Sequence, residues 1–164
     1  HNNYIFIGTY SAADYPNYIT ARTNNLAVEA LQRLFPHRQV KAFDLRKDNH
    51  NPKENALHLD CCFQPVGSNY AIIHKNGFLN EADYNWLVNY FGEENVFEID
   101  KDEMYDMTSN IFSIAEDLVI SDASFTRLNN WLENRGIKVE TVNYREIAKQ
   151  EGLLRCSTLP LIRE

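Results

Sequence analysis

Residues 81–91 read EADYNWLVNYF, and residues 125–135 read FTRLNNWLENR. Both contain Asn-Trp-Leu, as Asn85-Trp86-Leu87 and again as Asn130-Trp131-Leu132. Apolar residues recur at three- and four-residue spacing, as with Tyr84, Leu87 and Phe91, so both stretches predict amphipathic helices. Each stops at a glycine, Gly92 or Gly136. A third stretch, residues 25–35 (NLAVEALQRLF), puts Leu26, Ala30 and Leu34 on one face and stops at Pro36. Strand patterns follow the three helices at residues 40–45, 96–99 and 139–142. Two more precede the second helix, at 57–66 and 70–74, and two the third, at 111–114 and 118–121. The repeating unit is β-β-α-β, which predicts an α/β fold. The first unit is incomplete, because only one strand pattern, residues 4–7, stands before its helix. The chain is therefore expected to open inside a module with an unpaired strand edge, its N-terminal half absent. Residues 48–55 are polar and short enough for a surface loop, so residues 1–164 read as a single partial domain.

Composition narrows the function. Apolar residues make up 44% and charged residues 24%, values of a folded domain. Net charge is -7 and the pI about 5.2. Clustered cations dominate affinity for nucleic acid, so that partner is not expected, and a small cationic ligand suits the charge better. No apolar run approaches the ~20 residues of a spanning helix, and no signal peptide opens the sequence. Three cysteines, Cys61, Cys62 and Cys156, make a poor disulfide framework, which points to a reducing, cytoplasmic setting.

Two places could carry chemistry. Residues 57–63 (LHLDCCF) alternate like a half-buried strand, with Leu57, Leu59, Cys61 and Phe63 facing the core and His58, Asp60 and Cys62 the other way. His58 and Asp60 would then lie roughly 7 Å apart at Cα on one face. An imidazole can give and take a proton, and a carboxylate can pair with a planar guanidinium. Spacing alone equally describes a satisfied structural His-Asp pair. Cys156 lies in an apolar stretch between Gly152 and Pro160. It is either a structural cysteine or a nucleophile whose thiolate Arg155 would stabilise by curling back. Cys61 reads as core filler and Cys62 as a neighbour of the site. His74 reads as a surface residue, and residues 98–106 as a solvated acidic connection.

Taken together, the repeated β-β-α-β unit, His58-Leu59-Asp60 and a lone cysteine in Arg155-Cys156-Ser157 resemble the guanidino-group modifying enzyme superfamily. Its members include arginine deiminases, dimethylarginine dimethylaminohydrolases and amidinotransferases. Ala21-Arg22-Thr23-Asn24 and Ser109-Asn110 match in the same order. The resemblance implies the pentein fold, a five-bladed α/β propeller, of which this chain would be the last two and a half to three modules. It also implies that Cys156 is the nucleophile and His58 the general acid/base, while Asp60 grips the guanidinium. Arg22 would hold the substrate's carboxylate, with Asn110 and Arg155 as further binding residues. No metal or other cofactor is implied. The family's Glu-Gly-Gly-Asp strand, expected before residues 4–7, is not present in this sequence. The implied reaction is hydrolysis of arginine or an N-substituted arginine to a ureido product through a thiouronium intermediate. Amidino transfer to an amine and a non-catalytic binding module are the alternatives. The expected partners are that small guanidino molecule and the remaining N-terminal half, with self-association left open.

Overall fold

Each of three helices carries the chain from one strand to a parallel neighbour, the connection that parallel pairing demands. The computed structural model describes residues 1–161. β1 (Tyr4–Thr9) leads through α1 (Asn25–Leu34) to β2 (Gln39–Asp44), which pairs parallel to β1 from Tyr4 opposite Gln39. β3 (Phe63–Val66) turns back into antiparallel β4 (Tyr70–Ile73), and α2 (Glu81–Phe91) carries the chain to β5 (Val96–Glu98), parallel to β4. After α3 (Lys101–Tyr105) the pattern recurs. β6 (Phe112–Ala115) and β7 (Leu118–Asp122) pair antiparallel, and α4 (Thr126–Glu133) leads to β8 (Lys138–Val142), parallel to β7. A single turn of helix, α5 (Arg145–Ala148), precedes the C-terminal segment.

The fold is thus α/β, with two complete β-β-α-β modules. The first sheet holds only the parallel pair β1-β2; among the described residues no antiparallel strand lies beside β1 where β3 and β6 lie beside β4 and β7.

Leu87 and Leu132, the leucines of the repeated tripeptide, are both fully buried. Each belongs to a different core. Leu87 packs with Phe43, Leu45, Cys62, Phe63 and Ile73 between the first two modules. Leu132 packs with Cys61, Ile72, Phe97, Ile111 and Leu153 between the second and third. The expected apolar face of α1 differs: Leu26 and Leu34 are 70% and 72% exposed, because the helix lies against the protein through other residues.

Residues 57–62 are not a strand. His58 caps a 3-10 turn, Leu59–Cys61, and β3 begins only at Phe63. The turn lies where the two cores meet. Leu57 and Cys61 pack into one core and Leu59, Cys62 and Phe63 into the other, so apolar residues fall on both sides and imitate strand alternation. Cys62 is wholly buried rather than on a chemical face. Its Cβ is approached so closely by Gly77 that an added Cβ there would lie 2.3 Å away. His74 is also buried, 4% exposed, and its Nδ1 donates to the Ile99 carbonyl at 2.8 Å. Within residues 98–106 the chain forms α3, closed by a reciprocal capping box of Asp100 and Glu103 and anchored by buried Met104. The acidic residues that suggested a solvated connection are partly a helix start.

Candidate active site

The turn before β3, the segment between α3 and β6 and the loop after α5 bring three distant parts of the chain together. The first is the 3-10 turn with His58 and Asp60. The second is Thr108-Ser109-Asn110, a wholly buried polar run that leaves α3 through Met107 in the left-handed region (φ 63°). The third is the C-terminal loop, pinned by Leu153 and Leu154 in the core.

Asn110 organises that loop. Its Oδ1 accepts from the amides of Leu153 at 3.0 Å and Cys156 at 3.2 Å, and its carbonyl accepts from the Arg155 amide at 3.2 Å. Its Nδ2 donates to Cys156 Sγ at 3.2 Å. Every polar atom of the side chain is thereby used on the loop. Gly152 completes the loop: a Cβ there would lie 3.0 Å from Cys156 Cβ.

The Cys156 thiol also faces Asp60, donating to Oδ2 at 3.6 Å. The other carboxylate oxygen, Oδ1, is buried without a hydrogen-bond partner among the described residues. A buried carboxylate oxygen left bare costs stability unless a donor arrives, so Asp60 is prepared for one. Burial and the neighbouring Asp60 carboxylate push the Cys156 thiol above its ordinary value, and donation from Asn110 opposes them. The thiol thus lies above its ordinary value, whereas the sequence expectation placed it below; the backbone amide of Arg155 serves the loop. Burial pushes the Cys61 thiol up to about 11 and the Cys62 thiol well above its ordinary value.

His58 is exposed at the mouth of the turn, and its ring makes no hydrogen bond among the described residues. It lines a cavity of about 90 Å³ with Arg22, Lys47, Thr9 and Thr23. The structure therefore joins Asp60, Asn110 and Cys156 in one cluster, with His58 and Arg22 sharing the adjoining cavity. A larger cavity, about 580 Å³, opens beyond Leu57 between α3 and α5 and contains none of these residues except the shared walls at Thr20 and Leu57. Asp60, Asn110, Cys156 and His58 lie outside that larger space. Sequence reasoning missed the loop-holding part played by Asn110.

A family model described as N,N dimethylarginine dimethylhydrolase, eukaryotic, matches residues 17–163. The uncharacterized protein YkgA of Bacillus subtilis (strain 168) is 28% identical over 145 residues, covering 88% of this chain and 47% of that protein. Among solved structures, the N-terminal domain of ArgZ, an arginine dihydrolase from the ornithine-ammonia cycle in cyanobacteria, was solved bound to product. It superposes with a TM-score of 0.75 at 17% identity, over 96% of this chain and 50% of that one. SxtG, an amidinotransferase from Microseira wollei in the saxitoxin biosynthetic pathway, gives 0.71 at 16% identity over 99% and 45%. The chain spans about half the length of these relatives.

Proposed function

This chain belongs to the N,N dimethylarginine dimethylhydrolase family, and from that premise we propose that it carries the nucleophilic half of a cysteine-dependent guanidine hydrolase. One observation carries the reading: Cys156 Sγ sits beside a carboxylate with a bare buried oxygen, in a loop held from within by Asn110. A planar guanidinium offers paired N–H donors to such a carboxylate while presenting its carbon to the sulfur. The arginine dihydrolase and amidinotransferase activities of the structural neighbours concern the same functional group.

The unliganded thiol is held neutral by burial and by Asp60. A bound guanidinium reverses this, because its charge neutralises Asp60 and stabilises the thiolate beside it. The thiol proton passes to His58, and the thiolate forms a C–S bond to the guanidinium carbon. His58 gives its proton to the departing nitrogen as that C–N bond breaks, leaving a thiouronium on Cys156. Water then adds to the same carbon, His58 takes its proton, and the C–S bond breaks to release a ureido product and the thiolate. Arginine and N-substituted arginines are the substrates this chemistry serves, with Arg22 at the carboxylate end.

Asp60 is a single carboxylate for a cation, and among the described residues no strand pairs with β1 on the side away from β2. The remaining part of the protein is proposed to fill that position and to supply further acidic groups, completing a propeller of such modules. Citrulline release from arginine and from N-methylated arginines, assayed with and without that remaining part, is the test. Turnover by the complete protein supports the reading, and the 164-residue chain alone is expected to be nearly inactive. Consumption of arginine only when an acceptor amine is added, without a ureido product, would replace hydrolysis by transfer.

A further inference from the structure

All three segments that carry the candidate site continue into the walls of the larger cavity. Leu57 and Cys61, which bracket His58 and Asp60 in the chain, belong to one wall. The end of α3 makes the second, and from Met107 the chain passes directly into Thr108-Ser109-Asn110. Ala148 and Glu151 belong to the third, just ahead of the loop that carries Cys156. Two of these walls end on a left-handed corner: Met107 has φ 63° and Glu151 φ 62°, a conformation that residues bearing a side chain seldom adopt. Each corner stands where a helix hands the chain over to the site. A molecule in this cavity therefore meets the carboxylate turn, the root of the Ser109-Asn110 bridge and the root of the nucleophile loop at once. Asp60, Asn110 and Cys156 themselves stay outside it.

Size and lining describe that molecule. The volume of about 580 Å³ falls within the ~300–1,000 Å³ usual for small-molecule pockets. Three sulfur side chains, Met104, Met107 and Cys61, lie on the walls. Thioether sulfur packs well against aromatic rings, and the unbranched methionine chain adapts to their outline. The charges on the lining cancel pair by pair: Arg145 binds Asp106 at 2.7 Å and Lys149 binds Glu146 at 2.5 Å. Glu151 has no cationic partner among the described residues, which leaves the lining one negative charge. We propose that the cavity binds a small aromatic amine, its ring against the sulfurs and its ammonium at Glu151, and that occupancy alters the reactivity of Cys156 by restraining the segments around it. This is a second site, separate from the guanidinium position between Asp60 and Cys156.

Tryptamine is the probe, with indole-3-propionate as a control of similar shape and opposite charge. In calorimetric titrations of the full-length protein, tryptamine is expected to bind about threefold or more tightly than the acid. Glu151→Gln, at an exposed position, should erase that preference, and Ala148→Phe, which places a ring in the cavity, should abolish binding. With arginine saturating Cys156→Ala protein, tryptamine should still bind. In the wild type, saturating tryptamine should change the rate of Cys156 alkylation by iodoacetamide about fivefold or more. Four results would each overturn the proposal: no binding of tryptamine, its displacement by arginine, a preference unmoved by Glu151→Gln, or an unchanged alkylation rate. None of these measurements requires turnover, so the hydrolase reading stands or fails separately.

Discussion

Ser109 and Asn110 are adjacent in the chain and serve opposite sides of the candidate site. Ser109 Oγ lies 2.8 Å from the carbonyls of both Asp60 and Cys61, while Asn110 takes the amides of Leu153 and Cys156. One buried peptide unit therefore sets the position of the carboxylate turn relative to the nucleophile loop. Asp60 and Cys156 are 96 residues apart in sequence, and this short bridge brings them into register.

Replacing Asn110 by Ala strips partners from the buried Leu153 amide, worth about 1–3 kcal/mol when left unsatisfied, and from the part-buried Cys156 amide. The expected loss of stability is about 3 kcal/mol, read as a lower urea midpoint with unchanged slope. Turnover should fall more than stability accounts for, since the donor to Sγ goes as well.

Asp60→Asn should make Cys156 more reactive toward a neutral alkylating agent at neutral pH. A negative neighbour disfavours the thiolate, so its removal lowers the thiol's pKa and moves the pH midpoint of iodoacetamide alkylation downward. Guanidine turnover should drop in the same variant. An unmoved or raised midpoint would show that burial alone sets the thiol.

His58→Ala should lower turnover by about 10²–10⁴, the usual worth of a positioned acid/base. Its urea midpoint should hardly move, because the exposed ring makes no hydrogen bond among the described residues, so any stability change should stay within about 0.5 kcal/mol. Activity within about tenfold of wild type would remove His58 from the mechanism.

Gly77→Ala places a methyl 2.3 Å from Cys62 Cβ, against a backbone-anchored atom that cannot swing aside. Overpacking of this kind costs about 1–3 kcal/mol, and both the turn and the start of β3 should be disturbed. Thermal unfolding of the variant checks the stability loss, and slowed turnover checks the link to the site.

The modular fold was legible because helix periodicity is strong where one face alone is buried; α2 spans Glu81–Phe91, as its spacing predicts. The turn at Leu59–Cys61 was not, since a segment wedged between two cores shows apolar residues on both sides whatever its conformation. The start of α3 did have a readable signal, Asp100 three residues before Glu103, hidden within an acidic run. His58, Asp60 and Cys156 could be picked by residue type and order. What Asn110 does could not, because its partners lie 43 and 46 residues downstream and only tertiary packing selects them.

Cys61 and Cys62 share a peptide bond but look into separate cores. Proteins open in cooperative units of unequal stability, and a buried thiol becomes modifiable only when its own unit opens. The chain therefore carries two adjacent natural gauges, one for each intermodule core. Under mild denaturant, thiol labelling resolved by mass spectrometry would reveal which core breathes first, and whether a ligand at Asp60 quiets one or both.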